Sequence, residues 1–516
     1  MQSFDKAVEL LQDNGTDIIA SDNFPRFKKL INQLPYRVLT SNPYLAVLQG
    51  WNYALNYQYS SALSVLKTME NMVEKNPELA DSFNFQIIAV KSANGAWSDQ
   101  LHLYQYEVEQ ELLKQPLPHE PTENALRVMR CLTLLHNSRF DELEQVVNEA
   151  RFFAQGGAFF YSSITITICH AMMHFVQGNF EQCSRVCDKI DQFMNIHRNE
   201  SPLGHIVNII RGMLAYVQGD LARAQRYFEQ SGNMVSYISE PSLLSWYYVC
   251  HIQLLTDLGQ QQQRELLLDQ CIELTKSRRL TLSKTPLYYE AILNSISFGH
   301  KDDVSSLKSQ YFEEIATENY PPENLHMIFN QDMVQSLLLF SQGKFDEVKE
   351  ILLKLSALYE QTGRIVQQVR TMIYLTNIYT LLNDKAKAKF ILRQAITIAS
   401  PKHLIQYFAR LDKEALAYIN EWLLSELSPN RKAFMKDICQ RFEGQDLKSR
   451  YSVEQADSLS TAEQKVMELL GSGLSNQEIA DKLYISINTV KSHLKSSYAK
   501  LGVSNRMHAS RLFSQL

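Results

Sequence analysis

The chain has 516 residues, 51 Lys and Arg against 56 Asp and Glu, and a net charge of −5, which gives no sign of an overall basic nucleic-acid coat. At roughly 100–200 residues per domain, the length predicts about three domains or one long repeat array. A hydrophobic fraction of 45% excludes a disordered chain.

The N-terminus, MQSFDKAVELLQDNG, has no basic region followed by an apolar core, so it is not a signal peptide. Residues 1–42 read as a helical lead-in. Few glycines and prolines, 18 and 14, favour helices joined by short turns. The seven cysteines are odd in number and irregularly spaced, which points to a reducing, cytoplasmic setting rather than a disulfide framework. Cys183 and Cys187 sit one helical turn apart, and two such thiols are expected to be buried apolar residues rather than metal ligands.

From about Pro43 to Leu427 a repeat of about forty residues governs the chain. An apolar helix ends in a small turn residue and a second helix follows. The turns fall near Tyr57–Ser60, then at Gly95, Ser138, Gly178, Gly219, Gly259, Gly299, Gly343 and Asn383. The segments HFVQGNFEQCSRV, AYVQGDLARAQRYF, LLFSQGKFDEVKEIL and TLLNDKAKAKFIL show the pattern. Gly and Asn suit the left-handed conformation that ends a helix, and Asn179, Asp220 and Asp384 are placed to start the next one. A fixed period of this size predicts a solenoid of eight or nine helix pairs, in which stacking builds the core that one pair cannot. The repeat resembles the tetratricopeptide type, lengthened.

Residues 152–180 carry no charge, yet Gln155, Ser162, Thr165, His170 and His174 interrupt the run, so a buried helix is expected and no membrane span. The first helix of each pair lines the concave face of a solenoid. Two stretches there are rich in hydroxyl, imidazole and aromatic groups without charge. Tyr161, Thr165 and His170 come from one, and Trp246, Tyr248 and His251 from the other; together they are the candidate site for a neutral polar effector. The competing reading of those six is core packing. No metal motif, nucleophile elbow or phosphate loop occurs, so neither catalysis nor a cofactor is expected.

Residues 428–458 read as a helix, about Asn430 to Phe442, and a linker. Residues 459–516 then hold seven of the basic residues and four of the acidic ones, a local balance of +3, which leaves −8 on the rest. Ser460 or Thr461 caps a first helix there. Ser475 caps a second, with Glu478 three residues on as in a capping box. Ser486 caps a third, and Ser504 starts a fourth. Val490, Leu494, Tyr498 and Leu501 form a buried stripe on the third helix. Asn488, Lys491, Ser492, Lys495 and Ala499 share another face with no acid on it, suited to a major groove.

Leu459-Ser460-Thr461, Gly473-Leu474-Ser475-Asn476, Glu478-Ile479-Ala480, Leu483, Ser486, Thr489-Val490-Lys491, His493, Lys500-Leu501-Gly502-Val503 and Arg506 together resemble the LuxR-type DNA-binding domain. The resemblance implies that the helix after Ser486 is the recognition helix. Lys491, Ser492 and Lys495 then face bases, while Thr489, His493 and Lys500 lie near the backbone or support the fold. Ser475, Asn476, Asn488 and Arg506 complete the expected DNA-binding set. Ala462-Glu463-Gln464 and Ser496-Ser497 depart from the family pattern.

Leu34-Pro35, Pro43-Tyr44-Leu45, Gln49-Gly50-Trp51, Ala62 and HLIQYFARLDKEAL (403–416) resemble the helical-repeat domain of MalT-type, ATP-dependent LuxR regulators. That family places a nucleotide-switch ATPase before the repeats. This sequence has no GxxxxGK[ST] loop, and Gly343-Lys344 lacks the upstream Gly and the hydroxyl, so ATP control is not carried over; residues 1–35 read as a remnant of the connecting region.

The expectation is an all-α chain: a tetratricopeptide-like solenoid over 43–427, then a four-helix LuxR-type helix-turn-helix domain over 459–516. It would act in the cytoplasm as a transcription regulator, an activator by analogy. Its expected partners are double-stranded promoter DNA bound as a homodimer, RNA polymerase, and a small-molecule or protein effector on the repeats. The rival reading is a repeat scaffold that holds a protein partner, with DNA binding secondary.

Overall fold

A computed structural model describes residues 6, 8–9, 11, 24–40, 42–114, 120–153, 160–196, 203–232, 241–278, 280–297, 301–315, 325–425, 428–442, 460–471 and 474–500. Every regular element among them is helical. None of these helices is long and apolar enough to cross a membrane. Helices α1 (Phe24–Ile31) and α2 (Tyr36–Leu39) lead in. Phe27, Ile31, Leu34 and Leu39 pack on Leu45 and Leu48 in a small core of their own.

Nine helix pairs follow among the described residues. The first three are α3 (Pro43–Leu55) with α4 (Tyr59–Lys75), α5 (Ala80–Trp97) with α6 (Gln105–Leu112), and α7 (Glu120–His136) with α8 (Phe140–Phe153). Next come α9 (Phe160–Val176) with α10 (Phe180–Ile196), α11 (Leu203–Val217) with α12 (Leu221–Ser231), and α13 (Pro241–Asp257) with α14 (Gln261–Ser277). Then α15 (Thr281–Ser297) pairs with α16 (Lys301–Glu314), α17 (Leu325–Ser341) with α18 (Phe345–Gln361), and α19 (Ile365–Leu381) with α20 (Lys385–Ala399). Helices α21 (Lys413–Leu423) and α22 (Pro429–Phe442) close the array. One continuous core runs from Ala46 to Phe442, so α22 packs as part of the repeat body through Phe434, Met435 and Ile438.

The turn residues make this possible. Tyr57, Asp99, Ser138, Gly178, Gly219, Gly259, Gly343 and Asn383 all adopt left-handed backbone, with φ between 58° and 81°. After each, the next N–H bonds the carbonyl five residues back, as in Asn179 to His174, Asp220 to Ala215 and Asp384 to Tyr379. This bond satisfies helix-end carbonyls and reverses the chain. Asp220 and Asp384 also cap the following helix, as expected. Gly95 is not a turn residue. It lies inside α5 and the reversal falls at Asp99. A Cβ at Gly95 would meet the Tyr104 ring at 2.6 Å, so the glycine serves close packing instead. Gly299 lies outside the described residues.

The solenoid winds so that these turns meet elements far along the chain. Arg364, buried at the start of α19, donates to the Leu135 and His136 carbonyls at 2.8 and 3.1 Å and to Ser138 Oγ at 2.6 Å. Lys402 Nζ reaches the Gln177 and Gly178 carbonyls at 3.4 and 3.3 Å, and Arg441 Nη1 reaches the Gly219 carbonyl at 2.9 Å. Three cations thus sit at the C-terminal ends of α7, α9 and α11, where the helix dipole favours positive charge. The separations are 226, 224 and 222 residues for Arg364–Ser138, Lys402–Gly178 and Arg441–Gly219. With a repeat of about forty residues, one superhelical turn takes between five and six pairs. At Gly219 a Cβ would lie 2.6 Å from Arg441 Nη1 and 2.8 Å from Ile405 Cγ2, and φ is +81°, so glycine avoids strain in both the turn and the contact.

All seven cysteines are buried and free of disulfides, including Cys183 and Cys187. Three further helices, α23 (Thr461–Gly471), α24 (Asn476–Leu483) and α25 (Ile487–Lys500), form a separate small core from Val466, Met467, Leu470, Ile479, Ala480, Val490 and Leu494. The fourth helix expected from Ser504 lies outside the described residues.

Candidate nucleic-acid interface and ligand cavity

Two Ser-x-x-Glu boxes set the entry angles of α23 and α24. Ser475 Oγ accepts from Glu478 N at 3.3 Å, and the Glu478 carboxylate accepts from Ser475 N at 2.7 Å. These bonds hold the Glu478 carboxyl below its ordinary range. Ser460 and Glu463 repeat the arrangement at 3.3 and 2.7 Å, a second box the sequence reading did not mark. Tyr484 ends α24 with φ 55° and its ring fully exposed, which leaves Ile485 to bond back to Ala480. Ser486 Oγ then accepts from Thr489 N at 3.1 Å and starts α25.

This geometry turns one face of α25 outward. Val490 and Leu494 are buried, and Tyr498 packs against them. Asn488, Lys491, Ser492 and Lys495 are exposed together, while Thr489 and His493 are half-buried at the edge of that face. Ser475 is exposed and Asn476 half-buried at the N-terminus of α24. The side chains of Lys500 and Arg506 lie outside the described residues. The face therefore offers two ammonium groups, an amide and a hydroxyl, with helix N-termini beside them, a donor set suited to phosphates and base edges.

The six effector candidates lie on two helices, α9 and α13. Tyr161's side chain is outside the described residues. Thr165 is half-buried on α9, and His170, buried on the same helix, bonds Glu144 of α8 at 2.9 Å. On α13, Tyr248 is buried, with its hydroxyl pKa pushed up by that burial, and Trp246 packs on the core. His251 stacks at 5.1 Å on Phe228, bonds Tyr247 at 3.1 Å, and burial lowers its pKa to about 4, which keeps it neutral.

A cavity of about 370 Å³ opens elsewhere, between α13, α15, α17 and α19. Its walls are largely apolar, with Leu268, Leu293, Leu337, Phe340 and Ile378 among them. Gln253, Glu290, Asn294, Asn377 and Arg410 add polar groups. Gln253 Nε2 donates to Glu290 at 2.7 Å. Burial raises the Glu290 carboxyl to about 7, against the opposing pull of Gln253, Arg370 and Arg410. Asn294 Oδ1 is buried with no hydrogen-bond partner among the described residues. Arg410 pairs with Asp257, whose carboxylate also accepts from Gln406 at 2.6 Å. None of the six effector candidates lines this cavity, although three of them share α13 with its wall residues Ile252, Gln253 and Thr256. Glu290 and Asn294 lie one turn apart on α15, but Gln253, Asn377 and Arg410 come from other repeats, so no local spacing marks the set.

Comparison with known proteins fits both units. Residues 457–513 match the family described as bacterial regulatory proteins, luxR family, and residues 106–411 match the MalT-like TPR region. The HTH-type transcriptional regulator MalT of Serratia proteamaculans is 22% identical, over 95% of this chain and 56% of that protein. The protein of the same name from Klebsiella pneumoniae strain 342 is 22% identical, over 94% of this chain and 55% of its own length. The chain thus spans about half the length of the curated relatives it matches. Among solved structures, a Rap protein complexed with competence and sporulation factor superposes with a TM-score of 0.42 at 14% identity, covering 74% of this chain and 99% of that one.

Proposed function

The chain belongs to the family of the MalT-like TPR region, whose pattern covers residues 106–411, and from that premise we propose that it is a sequence-specific DNA-binding regulator of transcription, an activator. The observation that carries this reading is the exposed Lys491–Lys495 face of α25 within a segment that matches the luxR family. In it, Lys491, Ser492 and Lys495 read base edges. Thr489, His493, Lys500, Ser475, Asn476 and Arg506 hold the phosphate backbone, and Asn488 extends the reading face. Residues 1–42 lead in, 43–427 together with α22 form the sensing body, 443–458 connect, and 459–516 bind promoter DNA. One helix-turn-helix makes few phosphate contacts, so two copies bind paired half-sites, and RNA polymerase is the next partner. The protein acts in the cytoplasm without catalysis.

The effector is a small molecule in the cavity bounded by Glu290, Asn294 and Arg410. Its volume and largely apolar lining suit an amphipathic ligand, and the Asn294 acceptor calls for a donor on that ligand. Genome-wide footprinting of the full chain tests the central reading. Discrete protected sites with paired half-sites are expected, and uniform coverage of DNA would overturn it.

A further inference from the structure

We propose that Glu144, His170 and His174 form a binding site for a divalent transition-metal ion, zinc being the ion that the donor set fits. His170 and His174 lie one turn apart on α9 and therefore share a face. Glu144 reaches them from α8. One ligand atom of each of the three lies within 4.8 Å of the others. His170 Nε2 and Glu144 Oε2 are 2.9 Å apart, and the two imidazole rings stand 4.5 Å apart between centroids.

The chemistry selects the ion. Two imidazole nitrogens and one carboxylate oxygen are borderline donors, which suit zinc and its neighbours. Calcium and magnesium require oxygen sets that this trio does not supply. In a tetrahedral zinc site with bonds of about 2.0–2.1 Å, ligand atoms sit about 3.4 Å apart; the His170–Glu144 contact at 2.9 Å must open by about half an ångström, and the wider separations, up to 4.8 Å, must close by as much as about 1.4 Å, which side-chain rotation supplies. Three protein ligands leave a fourth position for water, the open form of such a site.

The surroundings suit the role. Leu143, Val146 and Val147 anchor α8 in the core, and Cys169, Ala171 and Met172 anchor α9. His170 is 3% exposed, whereas the Glu144 side chain is 42% exposed, so the site is held from within and reached from solvent. The sequence shows no metal motif because Glu144 lies 26 residues from His170. A bound ion would tie the second helix of one pair to the first helix of the next. The site includes none of the cavity or α25 residues, so it stands apart from the regulator reading.

The test uses the full chain, stripped with a chelator and titrated with ZnCl2 by calorimetry and with CoCl2 by visible absorption. One ion per chain is expected, with a ligand-field band for cobalt and a higher melting temperature with zinc. His174→Ala and Glu144→Gln, both at partly exposed positions, should each weaken binding at least tenfold while metal-free melting stays unchanged. If one of them lowers metal-free melting, His174→Gln is the second variant. Cys183→Ser should leave affinity unchanged. Absence of one-to-one binding would overturn the proposal, as would full affinity in the His174 and Glu144 variants or cobalt bands that vanish with Cys183.

Discussion

The Ser496 hydroxyl donates a 2.6 Å hydrogen bond to the Glu463 carboxylate, which ties α25 to the first turn of α23. Glu463 is 4% exposed and already accepts from Ser460 N at 2.7 Å. One buried carboxylate therefore closes a helix cap and positions α25. Ser496→Ala should cost the small domain about 1.5–3 kcal/mol, the worth of a hydrogen bond to a charged group. Hydrogen exchange of the full chain would show faster exchange over 461–500 and no change over 43–423; equal rates in both would refute the link.

Ser497 gives the opposite expectation. It is fully buried, and its Oγ has no hydrogen-bond partner among the described residues. Ser497→Ala removes a desolvated hydroxyl and should stabilise the same unit by about 1 kcal/mol. Slower exchange over 487–500 is the sign to look for.

Lys491→Ala should weaken specific promoter binding about tenfold or more and leave the helical content intact. A gel-shift titration at several salt concentrations checks it. If Lys491 reads a base, the loss concentrates on the specific site. If it only meets phosphate, the loss is uniform and the salt slope falls by about one.

Glu290 makes the body sensitive to pH. Its folded pKa, about 7, lies above the ordinary carboxylate value, so the folded state holds the proton more tightly. The contribution is fully present below the unfolded pKa, near 4, and is lost as pH rises through 7. The difference between the limits is on the order of 3 kcal/mol. Glu290→Gln should flatten this profile, and its melting temperature relative to the parent should climb between pH 5 and pH 8. A gap that does not change with pH would contradict the burial argument.

Arg364 is 2% exposed, and burial lowers its pKa to about 10. Its guanidinium also lies 5.2 Å from the Phe329 ring. Arg364→Met would remove the guanidinium donor from the His136 carbonyl and leave the Leu135 carbonyl only the Ser138 N–H at 3.3 Å, and should cost about 2–4 kcal/mol. Arg364→Lys should recover little, because one ammonium cannot span the same three acceptors. Denaturant midpoints of the two variants, followed by tryptophan fluorescence, provide the check.

The sequence carried the local features well. Gly178, Gly219 and Asn383 were legible as turns because the left-handed backbone restricts residue choice. Ser475 with Glu478 was legible because a cap needs partners three residues apart. The Lys491 face followed from helical spacing. Gly95 misled, since a glycine needed for the nearby Tyr104 ring looks the same as one needed for φ. Arg364 over Ser138, Glu144 beside His170, and the Glu290 cavity were not legible. Each joins residues from different repeats, and a contact spanning 226 residues leaves no periodic trace.

The cations on the ends of α7, α9 and α11 have a mechanical consequence. An open coil stretches at low cost, like a loose spring, and absorbs a guest by widening locally. Here neighbouring turns of the coil are riveted at Arg364, Lys402 and Arg441, and the Asp257–Arg410 pair adds another rivet at the cavity wall. A guest that separates α13 from Arg410 therefore strains the whole winding rather than one repeat. The last rivet, Arg441, is 19 residues before Ser460.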